Sequence, residues 1–187
     1  MNRRAYLALG GIVAASTAGC AGVSGRTPLK GDEAIDERSA ILTFEADDEV
    51  VLKIQLVKQY SPGESREHYP FYVATWQPSD VLLESLELRF QSSQSGGFSP
   101  AGISLREGAH AHYATLSQHD LHPSRTILAL PDTAAIGGGS VKVNLLFDGQ
   151  ARDAPSSLWV RADANLTSSG FLGTDYRAVD DMSVEFP

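Results

Sequence analysis

From Ile41 onward, apolar residues recur at every second position, the period of a β-strand that buries one face. Ile41-Leu42-Thr43-Phe44 opens the pattern. Val50, Leu52, Ile54 and Leu56 continue it, alternating with Val51, Lys53, Gln55 and Val57. Asp47-Asp48 between the two runs predicts a hairpin turn. Phe71 to Trp76 predicts a short aromatic-rich strand stopped by Pro78, and Ser61 to Glu67 a loop. Leu86, Leu88 and Phe90 point one way while Glu87 and Arg89 point the other. Gln91 to Pro100, QSSQSGGFSP, reads as a long polar loop, and Ile103 with Leu105 as a short strand. Thr126 to Leu130 is a strand ended by Pro131-Asp132, and Ala134 to Ser140 is a glycine-rich loop. Val141 to Phe147, Leu158 to Ala164 and Met182 to Phe186 alternate again.

About eight or nine short strands with turn signals between them, and no sustained helical period, predict an all-β chain. Alternation with one polar face suits an antiparallel β-sandwich. The expectation is immunoglobulin-like in class, although the cysteine pair of true immunoglobulin domains is absent. A jelly roll or an open barrel would satisfy the same alternation. Ahead of the strands, Ala21 to Ser39 is polar and glycine-containing. As a flexible coil it would span roughly 24 Å. Gly31 to Arg38 could instead form a helical turn or an early edge strand.

Met1 to Cys20, MNRRAYLALGGIVAASTAGC, has a different pattern: a charged head at Arg3 and Arg4, an apolar stretch, then small residues before a cysteine. That order is the layout of an export signal. About 14 apolar or small residues make a helix of roughly 21 Å, short of the ~30 Å hydrocarbon core of a bilayer. Arg3-Arg4-Ala5-Tyr6-Leu7 resembles a twin-arginine export motif, and Thr17-Ala18-Gly19-Cys20 resembles a lipobox with Thr17 where leucine is usual. Together they resemble the twin-arginine lipoproteins of halophilic archaea. The resemblance implies export, cleavage, a lipid on Cys20, and attachment to the outer face of the cell membrane. It covers about 20 residues and implies nothing about activity. The expected organisation is a signal peptide over 1–19, a lipidated cysteine and flexible spacer over 20–39, and a sandwich ectodomain over 40–187.

Composition agrees with this address. Cys20 is the single cysteine, so no internal disulfide is possible. The roughly 150 residues after the spacer suit one domain that buries about 68–70% of its unfolded surface. The formal charge is −8, with only four lysines, Lys30, Lys53, Lys58 and Lys142. An acidic, lysine-poor surface resembles that of haloarchaeal proteins, in which salt screens self-repulsion. It argues against nucleic acid as a partner, since phosphate recognition needs clustered positive charge.

Candidate chemistry concentrates in Gly108 to Ser124, which holds His110, His112, His119 and His122 with Asp120 among them. Imidazole ligates zinc or copper, so convergence of these side chains would make a metal site. His110 and His112 would share one face of a strand, and His119 and His122 would join if the intervening chain turned back. The spacing matches no specific metal signature, and a solvated polar loop is the other reading. No Gly-x-Ser-x-Gly elbow is present. A lipid-bearing cysteine also excludes blue-copper chemistry. Asn165-Leu166-Thr167 is an N-glycosylation sequon. Trp159 falls on an outer face by alternation, and Trp76 is a candidate for the same; exposed aromatics stack on sugars or dock partners. The leading expectation is a non-enzymatic, lipid-anchored surface lipoprotein that binds a surface protein or a glycan. The alternative is an exported metal-binding or metal-dependent protein that uses the histidines.

Overall fold

The computed structural model describes residues 25–61, 68–94, 97–100, 102–119, 122–133, 136, 140–148, 157–169 and 173–185. Thirteen strands are assigned among them. In chain order they are β1 (Thr27–Leu29), β2 (Gly31–Ile35), β3 (Ser39–Ala46), β4 (Glu49–Lys58), β5 (His68–Trp76), β6 (Val81–Gln94) and β7 (Gly97–Pro100). Then come β8 (Ile103–Leu105), β9 (Thr115–His119), β10 (His122–Leu130), β11 (Lys142–Asp148), β12 (Ser157–Ser168) and β13 (Asp175–Glu185). One sheet runs β1-β13-β12-β6-β10-β9, with β7 paired to β6; the other runs β2-β3-β4-β5-β11-β8. The pairings are antiparallel except β1 with β13, which is parallel. The architecture is thus the expected antiparallel β-sandwich, immunoglobulin-like in the sense that two such sheets pack face to face.

The predicted alternation supplies the core. Leu42 and Phe44 on β3, Leu52, Ile54 and Leu56 on β4, Phe71 and Val73 on β5, and Val143, Leu145 and Phe147 on β11 are buried from one sheet. Leu86, Leu88 and Phe90 on β6 meet them from the other, with Leu158, Val160 and Leu166 on β12 and Met182 and Val184 on β13. Phe71 and Phe90 join the layers edge to face, with ring centroids 6.2 Å apart. Asp47 and Asp48 close the β3–β4 hairpin with φ of 51° and 65°. Both central residues are left-handed, as a type I′ turn requires, so its twist matches that of the strands it joins.

Three segments differ from the sequence expectation. The stretch expected as spacer supplies two strands: β1 pairs with β13, the chain crosses at Lys30, and β2 then pairs with β3. Gly31 makes this crossing possible, because a Cβ there would sit 3.0 Å from Phe44 and 3.1 Å from Asp180. Its N–H donates to Asp180 Oδ2 at 2.9 Å. Gln91 to Pro100, expected as a loop, is instead the end of β6 and its hairpin partner β7. Serine and glutamine are compatible with a ladder, because backbone groups make its bonds. β6 also begins earlier than its alternation suggests. Its pairing with β12 shifts between Asn165 and Leu166, and Glu84 is the extra residue that lets Leu83 and Leu86 both face the core.

The β2–β3 connection is held by Asp36. Its Oδ1 accepts from the N–H groups of Arg38 at 2.7 Å and Ser39 at 2.6 Å, and Oδ2 accepts from Ser39 Oγ at 2.9 Å. The Arg38 N–H, then the Ser39 donors, hold the Asp36 carboxyl below its ordinary value of 3.8. Its stabilising contribution is therefore present above that ordinary value and disappears as pH falls through the lower folded value. The difference in urea midpoint between the wild type and Asp36→Asn should be largest above the ordinary carboxyl value of 3.8 and shrink as pH falls below it. A difference independent of pH would contradict this account of the turn.

Candidate functional site

The two sheets present unlike outer faces. On the seven-stranded sheet, alternation sends Glu87 and Arg89 of β6, Arg161 and Asp163 of β12, and Arg177 and Asp181 of β13 outward. Register sets like against like: Arg161 opposes Arg89, and Asp163 opposes Glu87. Such pairs are destabilising unless other charges intervene. Here Arg89 Nε meets Glu87 Oε1 at 2.5 Å, and Arg161 Nη1 meets Asp181 Oδ1 at 3.2 Å. Arg177 forks onto Asp163 through Nε at 3.0 Å and Nη2 at 2.6 Å. Hydrogen bonding to Asp163 also holds the Arg177 guanidinium more firmly protonated. A shallow depression of about 420 Å³ lies among Arg26, Glu87, Asp163, Asn165 and Arg177. Its charges are engaged with one another or with neighbours, as Arg26 is with Glu84 at 2.6 Å.

The outer face of the six-stranded sheet is different. Cross-strand rows place Thr43, Lys53 and Trp76 side by side, then Ile41, Gln55, Ala74 and Lys142. Trp76 is the last residue of β5 and is 48% exposed, the largest exposed aromatic among the described residues. Its position is fixed from beneath. The neighbouring Thr75 is buried, its N–H donates to Val141 O at 2.9 Å, and its Oγ1 accepts from Val141 N at 3.1 Å. That double tie locks the end of β5 to the start of β11 and brings Ser140 alongside. Lys53 Nζ stands 5.8 Å from the indole centroid, and Lys142 Nζ stands 4.2 Å from the Tyr72 ring. A groove of about 250 Å³ results, lined by Ile41, Lys53, Gln55, Ala74, Trp76 and Ser140, with Thr75 below. Its floor is mostly apolar, and Lys53 is its charged member.

The structure describes the side chains of His110 and His112, and of His119 and His122 the backbone alone. His110 and His112 do not share a strand face. His110 takes a left-handed conformation, φ 64°, at the start of a single 3-10 turn, Ala111–Tyr113. Its Nδ1 accepts from the Lys142 N–H at 3.0 Å, and His112 lies on Tyr113 with ring centroids 3.9 Å apart. From Thr115 the chain runs on as β9, which carries His119 about 13 Å along the strand to its pairing with His122. An extended ladder, not a returning loop, thus separates the two pairs. No group of three or more metal-ligating side chains occurs among the described residues, and Asp120 lies outside them. Asn165 sits in β12 between β6 and β13, and its Nδ2 donates to Ser85 Oγ at 2.9 Å. Trp159 is half-buried on the outer face, as alternation predicts. Arg3, Arg4 and Cys20 lie outside the described residues. Lys53, Gln55 and Ser140 were not singled out from sequence; polar parity placed Lys53 and Gln55 outward, but nothing local showed that they stand beside Trp76.

A family model for a domain of unknown function, DUF8121, matches residues 30–187. No curated protein matches the chain. Among solved structures, a DUF4466 family protein from Parabacteroides merdae is 12% identical, over 68% of this chain and 42% of its own, with a TM-score of 0.36. The collagen-binding domain of a Staphylococcus aureus adhesin is 9% identical, over 70% of this chain and 95% of its own, with a TM-score of 0.39. The major pilin subunit of Bacillus cereus is 9% identical, over 71% of this chain and 41% of its own, with a TM-score of 0.30. The chain thus spans less than half the length of the first and third of these proteins.

Proposed function

The chain belongs to the DUF8121 family, and we propose that it is a non-enzymatic lipoprotein, anchored through Cys20 outside the cell, whose sandwich offers the Trp76 face to a ligand. The observation that carries the binding half is the contrast between the outer faces. One has its charges paired; the other leaves an indole and an amine open around an apolar groove. Exposed aromatics beside polar donors are a common recognition surface. The anchoring half is supported by the order of Arg3, Arg4, the apolar stretch and Cys20. The seven residues from Cys20 to Thr27 can span at most about 25 Å. A lipid on Cys20 would therefore hold β1, and the sandwich with it, close to the membrane surface.

Replacing Cys20 by serine should move the protein from the membrane fraction to the medium or leave an uncleaved precursor. Replacing Arg3 and Arg4 by lysine should separately impair export. Cell fractionation and the mass of the mature N-terminus report both. A cleaved Cys20→Ser protein that still needs detergent for release would rule the lipid anchor out.

A further inference from the structure

The groove beside Trp76 has the chemistry of a sugar subsite, and its charge specifies which sugar. A pyranose ring carries apolar C–H faces and polar edges. The exposed indole offers a flat π-surface for one such face. Ile41 and Ala74 form an apolar floor, while Gln55 and Ser140 supply an amide and a hydroxyl at the edges. At about 250 Å³ the groove falls below the ~300–1,000 Å³ of pockets that enclose drug-sized molecules. It suits one ring, with the rest of a chain lying along the surface.

Lys53 distinguishes an acidic sugar from a neutral one. It is the charged lining residue, and among the described residues no carboxylate pairs with it. By contrast, Arg26, Arg89, Arg161 and Arg177 on the other sheet all hold carboxylates. The nearest acid on this face is Glu45 of β3, diagonal to Lys53 across the Thr43–Lys53 pairing, at about 7–8 Å, and no ion pair joins the two. Asp32 lies in the same row beyond Thr43, at the sheet edge.

We propose that the Trp76 groove binds a single uronic-acid unit of an acidic polysaccharide, its ring stacked on the Trp76 indole and its carboxylate on Lys53 Nζ. The assignment rests on the reading of this face as the ligand-binding one. No bond is made or broken; the site is one of recognition.

The chain has two tryptophans, so Trp159→Phe leaves Trp76 as the single indole emitter. In that background the full chain is titrated with hexagalacturonate and with its carboxyl-reduced counterpart, which carries a neutral hydroxymethyl group in place of each carboxylate. A saturable change in Trp76 emission with the acidic oligomer, and a several-fold weaker response to the reduced one, are expected. Lys53→Gln should weaken the acidic oligomer about three- to fivefold and remove its advantage over the reduced one. Trp76→Ala, followed by calorimetry, should weaken both about tenfold or more. Equal affinity for the two oligomers, unchanged binding by Trp76→Ala, or no response to the acidic oligomer at millimolar concentration would overturn the proposal. So would an emission change with phosphatidylglycerol vesicles alone, which would make Trp76 a bilayer contact. The titration and the fractionation of Cys20→Ser fail independently. An anchored protein without a sugar response loses the ligand assignment only; a sugar response without an anchor loses the anchor only.

Discussion

Replacing Phe90 with alanine is expected to remove about 3–5 kcal/mol of folding stability, the usual cost of truncating a buried aromatic. Phe90 is completely buried on β6, which is paired to Val160 of β12 on one side and Thr126 of β10 on the other. Its ring meets Phe71 of the opposite sheet edge to face at 6.2 Å and 64°. The substitution therefore empties the middle of the sandwich and cuts an aromatic contact worth about 0.5–1.5 kcal/mol beyond its buried area. Strands held on both sides cannot easily collapse into the void, which places the cost toward the upper part of the range. Against a typical total of about 5–15 kcal/mol this is a large fraction. Urea unfolding should show a lower midpoint with an unchanged slope. Phe90→Leu, which keeps most of the volume, should cost less than half as much. A loss below about 1 kcal/mol for Phe90→Ala would contradict the packing described.

A chain that begins at Ala40 should fail to give a stable soluble domain, whereas one that begins at Gly25 should fold. The deletion removes β1 and β2, and with them three register pairs on β13 and five on β3. It also removes Gly31 from between Phe44 and Asp180, and the Glu33 carboxylate that accepts the Ser183 N–H at 2.6 Å. Each lost hydrogen bond costs about 0.5–1.5 kcal/mol net, so the sum is comparable with the stability of a whole domain. β3 would become a bare edge, and β13 would lose its partner over Tyr176–Ala178, leaving unpaired N–H and C=O groups, a template for aggregation. Size-exclusion chromatography and thermal melting of the two chains decide the matter. Equal melting temperatures would show that the first two strands are dispensable.

The reach of the sequence differs from one element to another, for a physical reason. β3, β4, β11, β12 and the end of β13 were visible because burial of one strand face imposes a period of two on consecutive residues. The Asp47-Asp48 turn was visible because left-handed backbone selects a short list of residue types. β2 was read only as one of two options, and β1 not at all. Their residues are largely exposed, so they carry no apolar stripe; backbone pairing to distant strands holds them. β7 and the end of β6 were hidden in the same way, since a ladder of serine and glutamine looks like a loop. The bulge at Glu84 broke the alternation where β6 begins.

The candidate site divides along the same line. Trp76 was a candidate for exposure from its strand, and the outward direction of Lys53 followed from alternation. That the two stand together depended on the register of β4 against β5, and Ser140 joined them only because Thr75 is tied to Val141. The histidines show the converse. Their closeness in sequence suggested a shared strand face and a returning loop, but His110 and His112 lie in a 3-10 turn and the chain then runs as the extended strand β9 to His119. Local patterning of the chain determined that this protein is all-β, with a sandwich as one of the architectures that fit, and which side of most strands faces water. Pairing between residues far apart in sequence decided where the sandwich starts and which outward side chains share a surface. The first is set by neighbours a few residues away; the second depends on register, which no short stretch of chain encodes.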